Sequence, residues 1–454
     1  MNPARSTLVV VAAFVLVTGC ASSPMMRAAR NGDHAALSSA ILAADAKGKL
    51  TLDEAASLAK AVVVRELTTA KTDAEARARI KDIRSCAFAV DDVLAERMKT
   101  EDAVGGEAAL VRVETGALSE ASARGHIAST DDRWRAVGMW GMTRDRDDAT
   151  RQTGLTDGSL VVRKAALHAL VEHDDPRDID ALLGAARSDP DPILRGMAIR
   201  ALRRMHGAPD DLSLRLRDLF TSGDELARED IAALFASAAL DRKGGHEALA
   251  HLLLTTSGNE AVMLAGVILG ADVDDAALRA TAVTLLASAL REGGHRARIH
   301  ALVVVPLGKK TMPGTLARTL LDAVKAAVDD ADLDVREAAL GRLVDPRAGL
   351  ETKDWTAAVR DLENMAAPTP DDASPTRSSR ARLLLAEAGD LRMQAWLEAD
   401  ARSKDADAKI SAAHALAAIG RASRAASLLA DEDPSVRSQA ACVILLAARH
   451  PVVR

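Results

Sequence analysis

"DPDPILRGMAIRAL" (residues 189–202) sets one Asp six residues ahead of an Arg and a second Asp four ahead, then runs on as a stretch of small and apolar residues. The pattern returns as "DADLDVREAALGRL" (330–343) and "DEDPSVRSQAACVILL" (431–446). Aligned on the Arg, one register passes through Arg135, Arg163, Arg195, Arg228, Arg279, Arg336 and Arg437, with Ser411 in the same slot. Four residues earlier stand Asp131, Ser159, Asp191, Asp224, Asp275, Asp332 and Asp433, and Asp407 before Ser411. The first gaps are 28, 32 and 33 residues. A period near 30 that recurs this often belongs to a stacked repeat and not to one globular domain.

Each position has a physical reading. The Asp four before the Arg is a helix N-cap, whose carboxylate accepts the orphan N–H groups of the first turn. Pro192 and Pro434 follow directly, where a missing N–H costs nothing. Positions three, four, six and seven after the Arg are almost all Ala, Leu, Ile, Val, Gly or Met, which makes one wide apolar stripe on a helix. Small residues at the third position, such as Ala166, Ala198 and Ala339, let a neighbouring helix come close. A second helix precedes each of these, as in 175–188 and 421–430. The unit is helix–turn–helix, and stacking such units buries a continuous core.

With these residues in view the chain resembles the HEAT-repeat family, in particular its short bacterial, phycobilisome-lyase-like type. That family shows a turn Asp, then Val-Arg, then an Ala-rich helix. The matching turn Asp is Asp157, Asp189, Asp330, Asp405 and Asp431, and it is missing before Arg135, Arg228 and Arg279. The resemblance covers roughly 129–454, weakening over 240–320 and 345–390. It implies an all-α, right-handed α-solenoid in which hydrogen bonds join the turn Asp and the Arg from one repeat to the next. The expected ladder is Asp157, Arg163, Asp189, Arg195, Asp330, Arg336, Asp431 and Arg437. Many copies of one pair suit a structural ladder and not an active site.

The bulk numbers agree. The 454 residues exceed what one core usually organises. Aromatics are 2% with no Tyr, so the core must come from close-packed Ala and Leu helices. A net charge of −6 argues against a nucleic-acid binder, which needs a basic stripe.

"LVVVAAFVLV" (8–17) is too short to span a bilayer and suits a signal-peptide core. Val17-Thr18-Gly19-Cys20 closes it and resembles the bacterial lipobox, which implies lipidation of Cys20 and a membrane anchor. The expected setting is the cell envelope, facing the periplasm, with Ala21 favouring the outer membrane. Cys86 and Cys442 lie near opposite ends of the chain, so an elongated stack keeps them apart as small buried hydrophobes.

The organisation expected is a signal peptide (1–19), a divergent helical cap (20–128), repeats (129–365), a Pro- and Ser-rich hinge (366–379) and further repeats (380–454). Catalytic signals fail on geometry. In "HEALAH" (246–251) the second His falls at i+5, off the face of the first, so no zinc grip forms. "GKKT" (308–311) lacks the first Gly of a P-loop. Neither a cofactor nor a metal nor a small-molecule substrate is expected. The fifth position after the Arg points away from the apolar stripe and carries Trp140, His168 and Arg200 in three successive units, a candidate surface for another protein. The reading is a lipid-anchored, non-catalytic scaffold or adaptor. The rival is a HEAT-fold enzyme, lyase- or hydroxylase-like, acting on a protein substrate.

Overall fold

A computed structural model describes residues 23–143, 148–207, 209–223, 225–237, 240, 244–271, 273–308, 312–348, 350–367 and 375–450. Cys20 and the lipobox lie outside these residues, as do 368–374 of the expected hinge. The described residues form helices joined by short turns, without a strand. The turn chemistry explains where the helices start. Asp131, Asp191, Asp332 and Asp433 each cap the helix that follows, accepting from its first N–H groups. Two residues before three of these caps, the turn Asp accepts the cap residue's own N–H: Asp189 from Asp191, Asp330 from Asp332, and Asp431 from Asp433, at 2.8–2.9 Å.

The helices form two layers. One layer runs through Asp73–Asp82, Ala103–Glu114, Asp132–Trp140, Leu160–His173, Pro192–Arg204 and Glu225–Phe235. It continues through Gly258–Gly270, His295–Val304, Leu333–Val344, Pro375–Glu387, Ala406–Ala418 and Pro434–Arg449. Each of these helices packs on the next, and Pro434–Arg449 packs back on Asp73–Asp82. The intervening helices, such as Asp91–Met98, Asp148–Gly154 and Ile179–Ser188, pack on this layer and little on one another, apart from Ala276–Glu292 on Gly314–Ala326 and Ala422–Ala430 on Leu52–Thr68. Helices on the inside of a curve crowd together while those outside splay apart, so the continuous layer is the inner one.

The stack therefore closes on itself. Residues 23–128, expected as a cap at one end, meet the opposite end: Leu52–Thr68 packs along Pro434–Arg449, and the 3-10 segment Ala422–Ala430 touches both His34–Asp45 and Leu52–Thr68. Cys86 and Cys442 form a disulfide with Cα atoms 5.1 Å apart. The expectation that they stay apart was wrong because it assumed an open stack, in which sequence separation becomes distance. A ring brings its two ends together.

The small third position has a direct cause. Gly138, three after Arg135, sits so close to the turn below that a Cβ there would stand 2.3 Å from the backbone N of Ile127. Gly138→Ala is therefore expected to lower stability by about 1–3 kcal/mol. Gly184, mid-helix with nothing near its missing Cβ, is the control. Gly184→Ala should be neutral or stabilising by up to about 1 kcal/mol. Thermal melts of the two variants check both signs.

Candidate functional site: ladder, inner face and seam

The inner helices carry a cation one turn past the cap, and it bridges two units. Arg163 Nε and Nη2 donate to the Asp189 carboxylate of the next unit at 2.9 and 3.3 Å, while Nη1 donates to the Asp157 carbonyl of its own turn at 3.0 Å. Arg135 makes the same pattern, to the Asp157 carboxylate at 3.2 Å on both nitrogens and to the Thr130 carbonyl at 2.9 Å. Arg195 Nη1 donates to the Asp189 carbonyl at 2.6 Å. Arg336 holds the same helical slot four residues after Asp332, with its buried Nε unbonded among the described residues.

Three positions differ from the aligned register. Lys409, and not Ser411, forms the rung to Asp431, at 2.6 Å. Asp405 is the cap of that helix and not its turn Asp, so Lys409 keeps the spacing of four. In the divergent region Arg298 reaches Asp330 at 2.9 Å, whereas Arg279 lies on the outer helix Ala276–Glu292. Arg228 pairs with Glu260. Searching for any cation four after the cap would have found Lys409. Arg298 follows Gly294, which leaves no acidic cap to find it by.

The fifth-position residues do not project freely. Trp140 is half-buried and its ring stacks on His168, with centroids 3.5 Å apart and planes inclined by 29°. Burial pushes the His168 imidazole below its ordinary value. Arg200 is exposed on the next helix and pairs with Asp230 at 2.6 Å. Cys442, five after Arg437, continues the row and bonds to Cys86 of the adjoining unit. Farther round, a cavity of about 670 Å³ opens between Leu333–Val344 and Pro375–Glu387. Val303, Ala338, Gly341, Leu383 and Leu384 give it apolar walls, and the Glu337–Arg380 pair (2.9 Å) stands at its side. Among the described residues no group of three or more His, Cys, Asp or Glu is placed to hold a metal.

At the seam the last rung finds a different acid. Arg437 Nε and Nη2 lie 2.9 and 2.8 Å from Glu66 Oε1, and its Nη1 donates to the Asp431 and Glu432 carbonyls at 2.6 and 2.9 Å. The Glu66 side chain is 1% exposed and also meets Arg65 and Arg79, each at 3.1 Å. Asp45 pairs with Arg424 across the same junction, and Arg449 lies over the Phe88 ring at 4.4 Å.

Residues 128–203 and 149–236 match the family model of HEAT repeats. HEAT repeats are thus found over 128–236, less than half of the chain. The matched region holds the consecutive rungs Arg135–Asp157 and Arg163–Asp189. Among solved structures the chain is similar, at low identity, to the following three. The Escherichia coli protein YibA is 14% identical, covering 63% of this chain and 96% of its own, with a TM-score of 0.35. Yeast importin-beta Kap95p is 12% identical over 87% of this chain and 57% of its own, with a TM-score of 0.37. The karyopherin Kap121p, bound to the C-terminus of the phosphatase Cdc14p, is 12% identical over 86% and 48%, with a TM-score of 0.35. This chain thus spans about half the length of the karyopherins. Comparison with curated proteins finds no match.

The ladder makes two predictions. The Arg163–Asp189 side chains are 10% and 2% exposed, so Arg163→Ala strands a buried carboxylate. It should cost about 3–5 kcal/mol in denaturant unfolding. Burial raises the Asp157 carboxyl, but bonds from Arg135 and the Ser159 N–H outweigh it and hold the group below the ordinary carboxylate range. A lowered folded value means that this rung's contribution is complete above the unfolded value of about 4 and fades as pH falls through the folded one. Asp157→Asn should accordingly flatten the loss of stability below about pH 4, read from melts across pH.

Proposed function

We propose that this protein is a lipid-anchored scaffold of the bacterial envelope, a closed ring of HEAT repeats whose inner face binds another protein without catalysing a reaction. The single observation that carries the binding reading is the inner face itself. It offers a half-buried Trp140–His168 stack beside the exposed Arg200, together with an apolar-walled cavity. Aromatic and Arg side chains beside apolar recesses are the usual anchors of protein interfaces, and concave repeat surfaces are the usual place for them. The ladder residues, spent on holding repeats together, take no part. The anchor at Cys20 and the periplasm-facing location rest on the lipobox-like Val17-Thr18-Gly19-Cys20.

In-cell photo-crosslinking tests the reading. A probe at position 140 on the inner face is expected to give a discrete protein adduct. A probe at Arg187, exposed on an outer helix, should give none. Leu384→Asp, which puts a charge into the cavity wall, should weaken the adduct. Equal labelling from both positions would contradict an inner-face site. Metabolic labelling with a fatty-acid analogue tests the anchor separately, and Cys20→Ser should abolish incorporation.

A further inference from the structure

We propose that the junction between Pro434–Arg449 and the N-terminal helices is a gate, and that the Cys86–Cys442 disulfide is its latch: reduction by a small dithiol opens the ring into an arc while the repeats stay folded.

Four observations carry this. First, 356 residues separate the two cysteines, so the helices that meet at the junction they span are not consecutive in the chain. A rigid-body opening that breaks no chain happens there. Second, the opening leaves no stranded buried charge. When Arg437 withdraws, Glu66 keeps Arg65 and Arg79, which belong to its own side. Arg437 in turn keeps the Asp431 and Glu432 carbonyls of its own repeat. In an internal rung such as Arg163–Asp189 the carboxylate, 2% exposed, would fall back on the neutral N–H of Asp191. Third, the charges across the junction partly oppose its closure. Three guanidiniums share one Glu66 carboxylate. Burial, then Arg437 and Arg65, push His34 below its ordinary value, and burial together with Asp433 on the opposite side pushes the Asp82 carboxyl up. Fourth, both cysteines are buried, at 0% and 3% exposure, so the bond is cut only when the junction breathes.

The chemistry balances. One thiolate of the dithiol attacks a cysteine sulfur and expels the other cysteine as thiolate. The second thiol then closes on the mixed disulfide. Both cysteines leave as thiols carrying the dithiol's two protons, and the reagent leaves as a cyclic disulfide.

The test uses the full chain with donor and acceptor dyes on unnatural amino acids at positions 47 and 421, both exposed beside the Asp45–Arg424 pair. Dithiothreitol is added while free thiols, energy transfer and circular dichroism are followed together. The expected result is a loss of energy transfer in step with the appearance of two thiols, at unchanged helicity, and its return on reoxidation. Cys442→Ser should show the low transfer without reductant. Unchanged transfer after both thiols have titrated would overturn the proposal, because the junction would then hold without its latch. So would loss of helicity together with transfer, because the disulfide would then staple the fold and not a gate. Should Cys442→Ser fail to fold, reduction of the natural chain still decides between these results.

Discussion

A guanidinium buried between two helices must find a carboxylate, and that requirement organises this molecule. Arg163 brings five N–H donors into a nearly dry interface, and it turns them to the next unit's Asp189 and to the carbonyls of its own turn. The same Asp189 orders its own turn by accepting the N–H of Asp191, which caps the following helix. Each rung thus fixes a turn, starts a helix and sets the register between repeats. Around it the apolar stripes of Ala, Leu and Val form one core that runs through the described length of the chain. Aromatic side chains are scarcely needed where close helix approach supplies the packing, as at Gly138.

Closure follows from the same chemistry. A ladder in an open stack ends with a cation that lacks an acid to reach. Here the final cation, Arg437, meets Glu66 from the other end of the chain, and the fifth-position row ends in a disulfide instead of an aromatic or an ion pair. The seam is a rung made from different parts. Its carboxylate comes from a helix interior and not from a turn Asp, and it already has two partners of its own.

What could be read from the sequence was what is local. Caps, turn Asp residues, Pro at the first helical position and the apolar stripe all lie within a dozen residues of one another, and the all-helical repeat follows from them. The inner-face candidates Trp140 and His168 are neighbours for the same reason, since equal slots in successive repeats come together. Register slipped where the residue type changed, at Lys409, or where the cap was Gly294 and not Asp. The ring itself was illegible. Whether a stack of repeats closes depends on small rotations summed over every unit, and no single residue carries that sum. Two cysteines 356 residues apart looked remote.

The most direct measurement of the closed ring is peptide mapping of the protein after thiols are trapped by alkylation under non-reducing conditions. The ring predicts one linked peptide pair carrying Cys86 and Cys442 within a monomer, with neither cysteine alkylated. Full alkylation of both residues, or linkage only between separate molecules, would contradict a chain whose ends meet.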